Sequence, residues 1–96
     1  MQLMYYESTM NRNNLTIQFP CIFPIKVMGL NTDAFSLAVT DIVNKHVPVE
    51  LVSFSSKLSS GNKYLSITAT FTATSREQLD ALYRELNSHE LVLMTL

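Results

Sequence analysis

Two amphipathic stretches with helical spacing, one strictly alternating strand between them and a turn-forming cluster ahead of that strand predict a ferredoxin-like βαββαβ fold for this 96-residue chain. Such a chain is an α+β sandwich, a four-stranded antiparallel sheet with both helices on one face. Ninety-six residues suffice for one hydrophobic core and are too few for two. Residues 19–96 therefore read as a single domain. Residues 1–18 are polar and Asn-rich, without a period of 2 or 3.6, and read as a flexible N-terminal arm with Tyr5 and Tyr6 as candidate anchors.

The run from Phe19 to Gly29 is apolar and β-prone, and its two prolines confine the first regular strand to Ile25–Met28. Asn31, Thr32 and Asp33 offer cap side chains and an acidic first turn. A helix follows, because Phe35, Ala38, Val39, Ile42 and Val43 share one face. Pro48 stops it, since the residue before proline leaves helical geometry. His46 then reads as a helix-end residue and not as a ligand. The stretch from Val49 to Lys57 is β-prone, and the cluster Ser59-Ser60-Gly61-Asn62 supplies the positive φ values of a hairpin. Beyond it, Leu65, Ile67, Ala69, Phe71 and Ala73 alternate with Tyr64, Ser66, Thr68, Thr70, Thr72 and Thr74, which gives a strand with one core face and one polar face. Ser75 with Gln78 reads as a capping box, with Gln78 reaching back to the cap residue. Leu79, Leu82, Tyr83 and Leu86 make the second helical stripe, and Asn87 suits a left-handed helix end. Leu91–Leu96 is the fourth strand.

Composition narrows the function. Seven basic and eight acidic residues give a formal charge of -1, so no broad basic surface exists to hold nucleic acid or an anionic membrane. The N-terminus has no basic region followed by an apolar one, and no run approaches the roughly 18 apolar residues of a membrane span. A lone cysteine, Cys21, excludes an internal disulfide and a multi-thiolate metal site. A cytoplasmic protein with no cofactor and a structural Cys21 is expected.

The residues also carry a resemblance. The block Phe23-Pro24-Ile25-Lys26-Val27-Met28-Gly29, the His46-x-Pro48 helix end, Ser59 and Ser60 with Tyr64 and Ser66, and Gln78, Leu82-Tyr83, Leu86, Val92, Met94 and Leu96 are similar to the motifs of the YbeD-like family of small uncharacterised bacterial proteins. The likeness runs from about Phe19 to the C-terminus. It departs at the turn, where Gly61 precedes Asn62-Lys63 instead of following a lysine, and in a longer arm. The resemblance implies a ferredoxin-like, ACT-like fold, and with it regulation by small molecules such as amino acids held at a dimer interface.

Candidate sites must be argued from residues, because this fold hosts unrelated functions. An acylphosphatase-like site needs an arginine after the first strand, and a metallochaperone needs paired thiolates there. Gly29-Leu30-Asn31-Thr32-Asp33 offers neither. His46 and His89 each lie near an element end and form no triad with a nucleophile, so no enzyme is expected. The serines at 55, 56, 59 and 60 read as hydroxyls solvated or bonded to backbone. An RNA-binding reading has one aromatic, Tyr64, on the exposed face of the third strand, and low charge weighs against it.

Two candidates remain. Gly29, Asn31, Thr32 and Asp33 form a candidate ligand loop at a helix N-terminus, although capping alone calls for the same residue types. Lys26, Met28, Tyr64, Ser66, Thr68 and Thr70 form a candidate interface on the sheet face that two helices leave uncovered. The corresponding roles are a non-catalytic regulatory domain sensing a small metabolite, and an adaptor that pairs with itself or a partner enzyme.

Overall fold

The computed structural model describes residues 18–96. The arm expected over residues 1–18, with its tyrosine anchors, lies outside the described residues except for Gln18. In chain order the elements are β1 (Cys21–Leu30), α1 (Asp33–His46), a 3-10 turn (Val49–Leu51), β2 (Val52–Leu58), a 3-10 turn (Ser60–Asn62), β3 (Tyr64–Ala73), α2 (Arg76–Ser88) and β4 (Met94–Thr95). The strands form one sheet in the order β2-β3-β1-β4 with every pairing antiparallel. This is the ferredoxin-like α+β arrangement the sequence predicts.

The core forms where the period-2 face of the sheet meets the two helical stripes. Ile25 and Val27 of β1 and Leu65, Ile67, Ala69, Phe71 and Ala73 of β3 are buried against Phe35, Val39, Ile42 and Val43 of α1 and Leu79, Leu82, Tyr83 and Leu86 of α2. Each large side chain among them contributes about 1.5–3 kcal/mol by leaving water. The turn into β3 has φ of 84° at Gly61 and 61° at Asn62. A Cβ on Gly61 would meet nothing within 4 Å, so the backbone conformation and not crowding selects glycine there.

β1 is longer than the expected Ile25–Met28, and Pro24 lies inside it, paired with Thr70. The ladder explains the tolerance. Lys26 exchanges both backbone bonds with Leu96, at 3.1 and 2.8 Å. Pro24, two residues earlier, therefore points its nitrogen toward the same outer edge, where no described strand lies opposite it. The N–H that proline lacks is one the sheet does not use.

The caps hold with one change. Thr32 accepts the Phe35 N–H at 3.1 Å and Ser75 accepts the Gln78 N–H at 3.1 Å. The Gln78 Oε1, however, accepts the Thr74 N–H at 2.8 Å instead of the cap residue's own, and its Nε2 donates to the His46 carbonyl at 3.0 Å. Gln78 thereby ties the start of α2 to the end of α1. Asn87 is also reassigned. It lies within α2, whose end residue His89 is extended, and its side chain accepts the hydroxyl of fully buried Thr95 at 2.9 Å. The regular part of the last strand is short, Met94–Thr95, because the chain from Leu91 first crosses from the helix end to the sheet.

Candidate functional site

Register decides which side chains share the face opposite the helices. Lys26 stands beside Thr68, Met28 beside Ser66, Leu30 beside Tyr64 and Pro24 beside Thr70 across β1 and β3. All six residues of the expected interface, Lys26, Met28, Tyr64, Ser66, Thr68 and Thr70, therefore lie on this face. On the other side of β3, Ser53, Ser55 and Lys57 of β2 stand beside Thr70, Thr68 and Ser66 and extend the same face.

One end of the face is hollowed into a concavity of about 310 Å³ lined chiefly by Lys26, Met28, Lys57, Leu58, Tyr64 and Leu96. Lys57 was not among the expected interface residues. Its signal was the weak alternation of Ser53, Ser55 and Lys57, which becomes legible only once the hairpin register is known. Strand spacing places the Cα atoms of Lys26 and Lys57 roughly 12 Å apart, two strands across and one pleat along. The Lys63 ammonium stands 5.4 Å from the centre of the Tyr64 ring, a cation–π contact that adds a third positive charge at this end.

Acidic charge is confined to one layer, whereas basic residues occur in both, the helices carrying Lys45, Arg76 and Arg84. The four strands carry Lys26 and Lys57 and no acidic residue. The acidic residues of the described chain lie in the helices and connections: Asp33 and Asp41 in α1, Glu50 before β2, Glu77, Asp80 and Glu85 in α2, and Glu90 after it. Glu50 borders the opposite end of the face, in a shallower hollow with Ile22, Ser53 and Thr72.

The Gly29–Asp33 loop is bonded into the fold. A Cβ on Gly29 would lie 2.4 Å from the Phe35 ring and 2.7 Å from the Leu91 carbonyl oxygen, so close approach there is already taken by the chain itself. The Asn31 side chain donates to the Asn62 carbonyl at 3.1 Å, the Asn31 N–H donates to the Lys63 carbonyl at 3.0 Å, and Thr32 caps α1. Asp33 is exposed in the first turn.

Further polar contacts tie the two helices and the turns in place. His46 Nε2 meets Glu85 Oε1 at 2.9 Å, and Lys45 also pairs with Glu85, joining the end of α1 to α2. Lys45 first and His46 second hold the Glu85 carboxyl below the usual range. His89 Nδ1 accepts the Leu91 N–H at 3.1 Å, and Ser59 Oγ accepts the Tyr64 N–H at 3.0 Å. Cys21 is half-buried at the start of β1. Among the described residues, no three His, Cys, Asp or Glu side chains gather as metal ligands, and no helix is long and apolar enough to cross a membrane.

Comparison with known proteins agrees with this architecture. The chain is similar to a UPF0250 protein of Chromobacterium violaceum, 41% identical over 80 residues that cover 82% of this chain and 90% of that protein. A UPF0250 protein of Janthinobacterium sp. is 49% identical over 77 residues, covering 79% and 85%. The solution structure of protein HP0495 from H. pylori superposes with a TM-score of 0.68 at 17% identity, over 84% of this chain and 86% of that one, and so shares the fold. The family model described as "Protein of unknown function (DUF493)" matches residues 14–96. With its sheet, its helix stripes and these relatives in agreement, the chain belongs to the DUF493 family, the YbeD-like UPF0250 proteins of bacteria.

Proposed function

We propose that this protein is a non-catalytic regulatory domain that docks an acidic partner protein on the open face of its sheet. The observation that supports this is that the strands carry Lys26 and Lys57 and no acidic residue, the acidic side chains of the described residues being confined to the helices and connections. An acidic segment laid across the hollow end would meet Lys26 and Lys57 on either side of an apolar floor containing Met28, Tyr64 and Leu96. The floor supplies area removed from water, and the lysines supply orientation and association rate. Low total charge is compatible with this, because docking of one segment needs a local field and not a basic protein.

The size of the same hollow favours a second reading. About 310 Å³ falls at the lower end of small-ligand pockets, and a carboxylate-bearing metabolite with an apolar body would match the same lining. Metabolite sensing would then sit on the sheet and not in the Gly29–Asp33 loop, whose Asn31 and Thr32 side chains are engaged.

The test is capture from a lysate of the source organism with wild-type protein and with the double variant Lys26→Glu/Lys57→Glu, at low and high salt. A partner retained by wild type, and released both by the charge reversal and by salt, is the expected result. In a second arm, backbone amide shifts are followed while a pool of carboxylate metabolites is added. Identical capture by both proteins, with no shifts at Met28, Tyr64 or Ser66, would remove the open face from consideration.

A further inference from the structure

The sheet ends on β2, with no described strand beyond it. Which backbone groups face that edge follows from the ladder. The Ser59 N–H donates to the Tyr64 carbonyl at 2.9 Å, and bonding direction alternates along an antiparallel strand. Ser53, Ser55 and Lys57 therefore bond to β3, while Val52, Phe54, Ser56 and Leu58 turn their N–H and C=O groups outward. The Val52 N–H closes the preceding turn on the Val49 carbonyl. The outward groups of Phe54, Ser56 and Leu58 have no such partner among the described residues.

Among the described residues, this edge lacks the usual protection. It is seven residues long, unbroken by proline or bulge, and carries one charge, Lys57, which points to the open face. The side chains above the outward groups are apolar and uncovered. Phe54 is 38% exposed and Leu58 44%, although both lie on the helix side of the sheet, where Phe54 stands beside buried Ala69 and Leu58 beside buried Leu65. Neither helix extends far enough to shelter them.

We infer that β2 pairs antiparallel with β2 of a second copy of this chain, continuing the sheet across a two-fold axis. The segment VSFSSKL fits itself in one register that uses the whole strand, with the axis at Ser55. Val52 then stands opposite Leu58, Phe54 opposite Ser56, Ser53 opposite Lys57 and Ser55 opposite its own symmetry mate. No like charges are opposed, and apolar meets apolar at both ends. The two Phe54 rings lie diagonally across the axis on the helix side of the sheet, beyond the cover of either helix. Phe54 and Ser56 exchange both backbone bonds on each side of the axis, and the Leu58 N–H reaches the Val52 carbonyl, the one outward group of Val52 still free. A two-fold contact requires this self-complementarity, and an unrelated strand has no reason to match it.

This interface is distinct from the docking hollow, since it is built on the outward backbone groups of β2 and uses none of Lys26, Met28 or Tyr64. Sedimentation equilibrium from about 10 µM to 1 mM, a range suited to an interface smaller than the standard size, combined with amide hydrogen exchange, tests it. The expected result is a reversible dimer in which the Phe54, Ser56 and Leu58 amides slow as concentration rises. Ser56→Pro removes an N–H that the single chain leaves unused, so it should preserve the fold and weaken the dimer at least about tenfold. Phe54→Lys, a surface change in the single chain, provides the same test should the proline variant not fold. Lys26→Glu should leave the dimer intact, which separates this interface from the docking face. A monomer at every concentration, a dimer indifferent to Ser56→Pro and Phe54→Lys, or β2 amides protected only by a foreign extended peptide would each overturn the inference.

Discussion

Replacing Gly29 by alanine tests whether this glycine serves packing or ligand approach. The added Cβ would stand 2.4 and 2.5 Å from two carbons of the Phe35 ring and 2.7 Å from the Leu91 carbonyl oxygen, about 1 Å inside ordinary contact. Neither neighbour yields easily. Phe35 is fully buried, and the chain just after Leu91 is held to β1 by the Leu93 N–H on the Met28 carbonyl at 2.8 Å. Overpacking of this kind costs about 1–3 kcal/mol, against which alanine recovers about 0.4–1 kcal/mol by restricting the unfolded chain. The net expectation is a loss of about 1–2 kcal/mol, or roughly 4–16 °C in Tm for a domain of this size. Urea and thermal unfolding followed by circular dichroism measure it. In a Phe35→Leu background the clash with the ring is relieved, so the penalty should fall, with a coupling of about 0.5 kcal/mol or more. If Gly29→Ala matches wild type, or its effect adds simply to that of Phe35→Leu, the packing argument fails and a ligand role for the Gly29–Asp33 loop returns.

Other perturbations read other parts of the structure. Gln78→Ala should cost about 1–2 kcal/mol in urea unfolding, since it removes the acceptor of Thr74 and the donor to His46, whereas Gln78→Glu keeps the acceptor and should cost less. Glu85 has a folded pKa below its unfolded value, so its contribution is present above the unfolded value near 4.3 and is lost as pH falls through the folded one. The stability difference between wild type and Glu85→Gln should therefore hold at about pH 5 and shrink below about pH 4, remaining within about 1 kcal/mol because the pair is close to the surface. The charge reversal Lys26→Glu/Lys57→Glu should leave unfolding stability within about 0.5 kcal/mol of wild type while abolishing partner capture, because both side chains are exposed.

The elements most legible in the sequence are those whose pattern is local. β3 alternates without interruption, and the α2 stripe Leu79, Leu82, Tyr83, Leu86 is buried residue for residue. What the sequence hides depends on neighbours distant in the chain. Pro24 reads as a strand breaker until the register shows its nitrogen at an unused edge. Gln78 reads as a cap partner until α1 brings the His46 carbonyl beside it. β2 reads weakly because its two faces are both exposed, so burial imposes little alternation on Ser53, Phe54, Ser55 and Ser56. For the same reason Lys57 is absent from the expected interface, although the six residues named for that face do share it.

Pro24 has a further consequence for assembly. A sheet that can accept a new strand at both margins can add copies without limit, and the product is a fibre. Here the two margins are unlike. The margin beyond β4 has a proline nitrogen where the ladder would continue, so a strand arriving there finds a missing donor. The β2 margin offers a full set of donors and acceptors across Phe54, Ser56 and Leu58. If β2 pairs as inferred, a particle adhesive on one side only is used up by a single encounter with its own kind, and growth would stop at two.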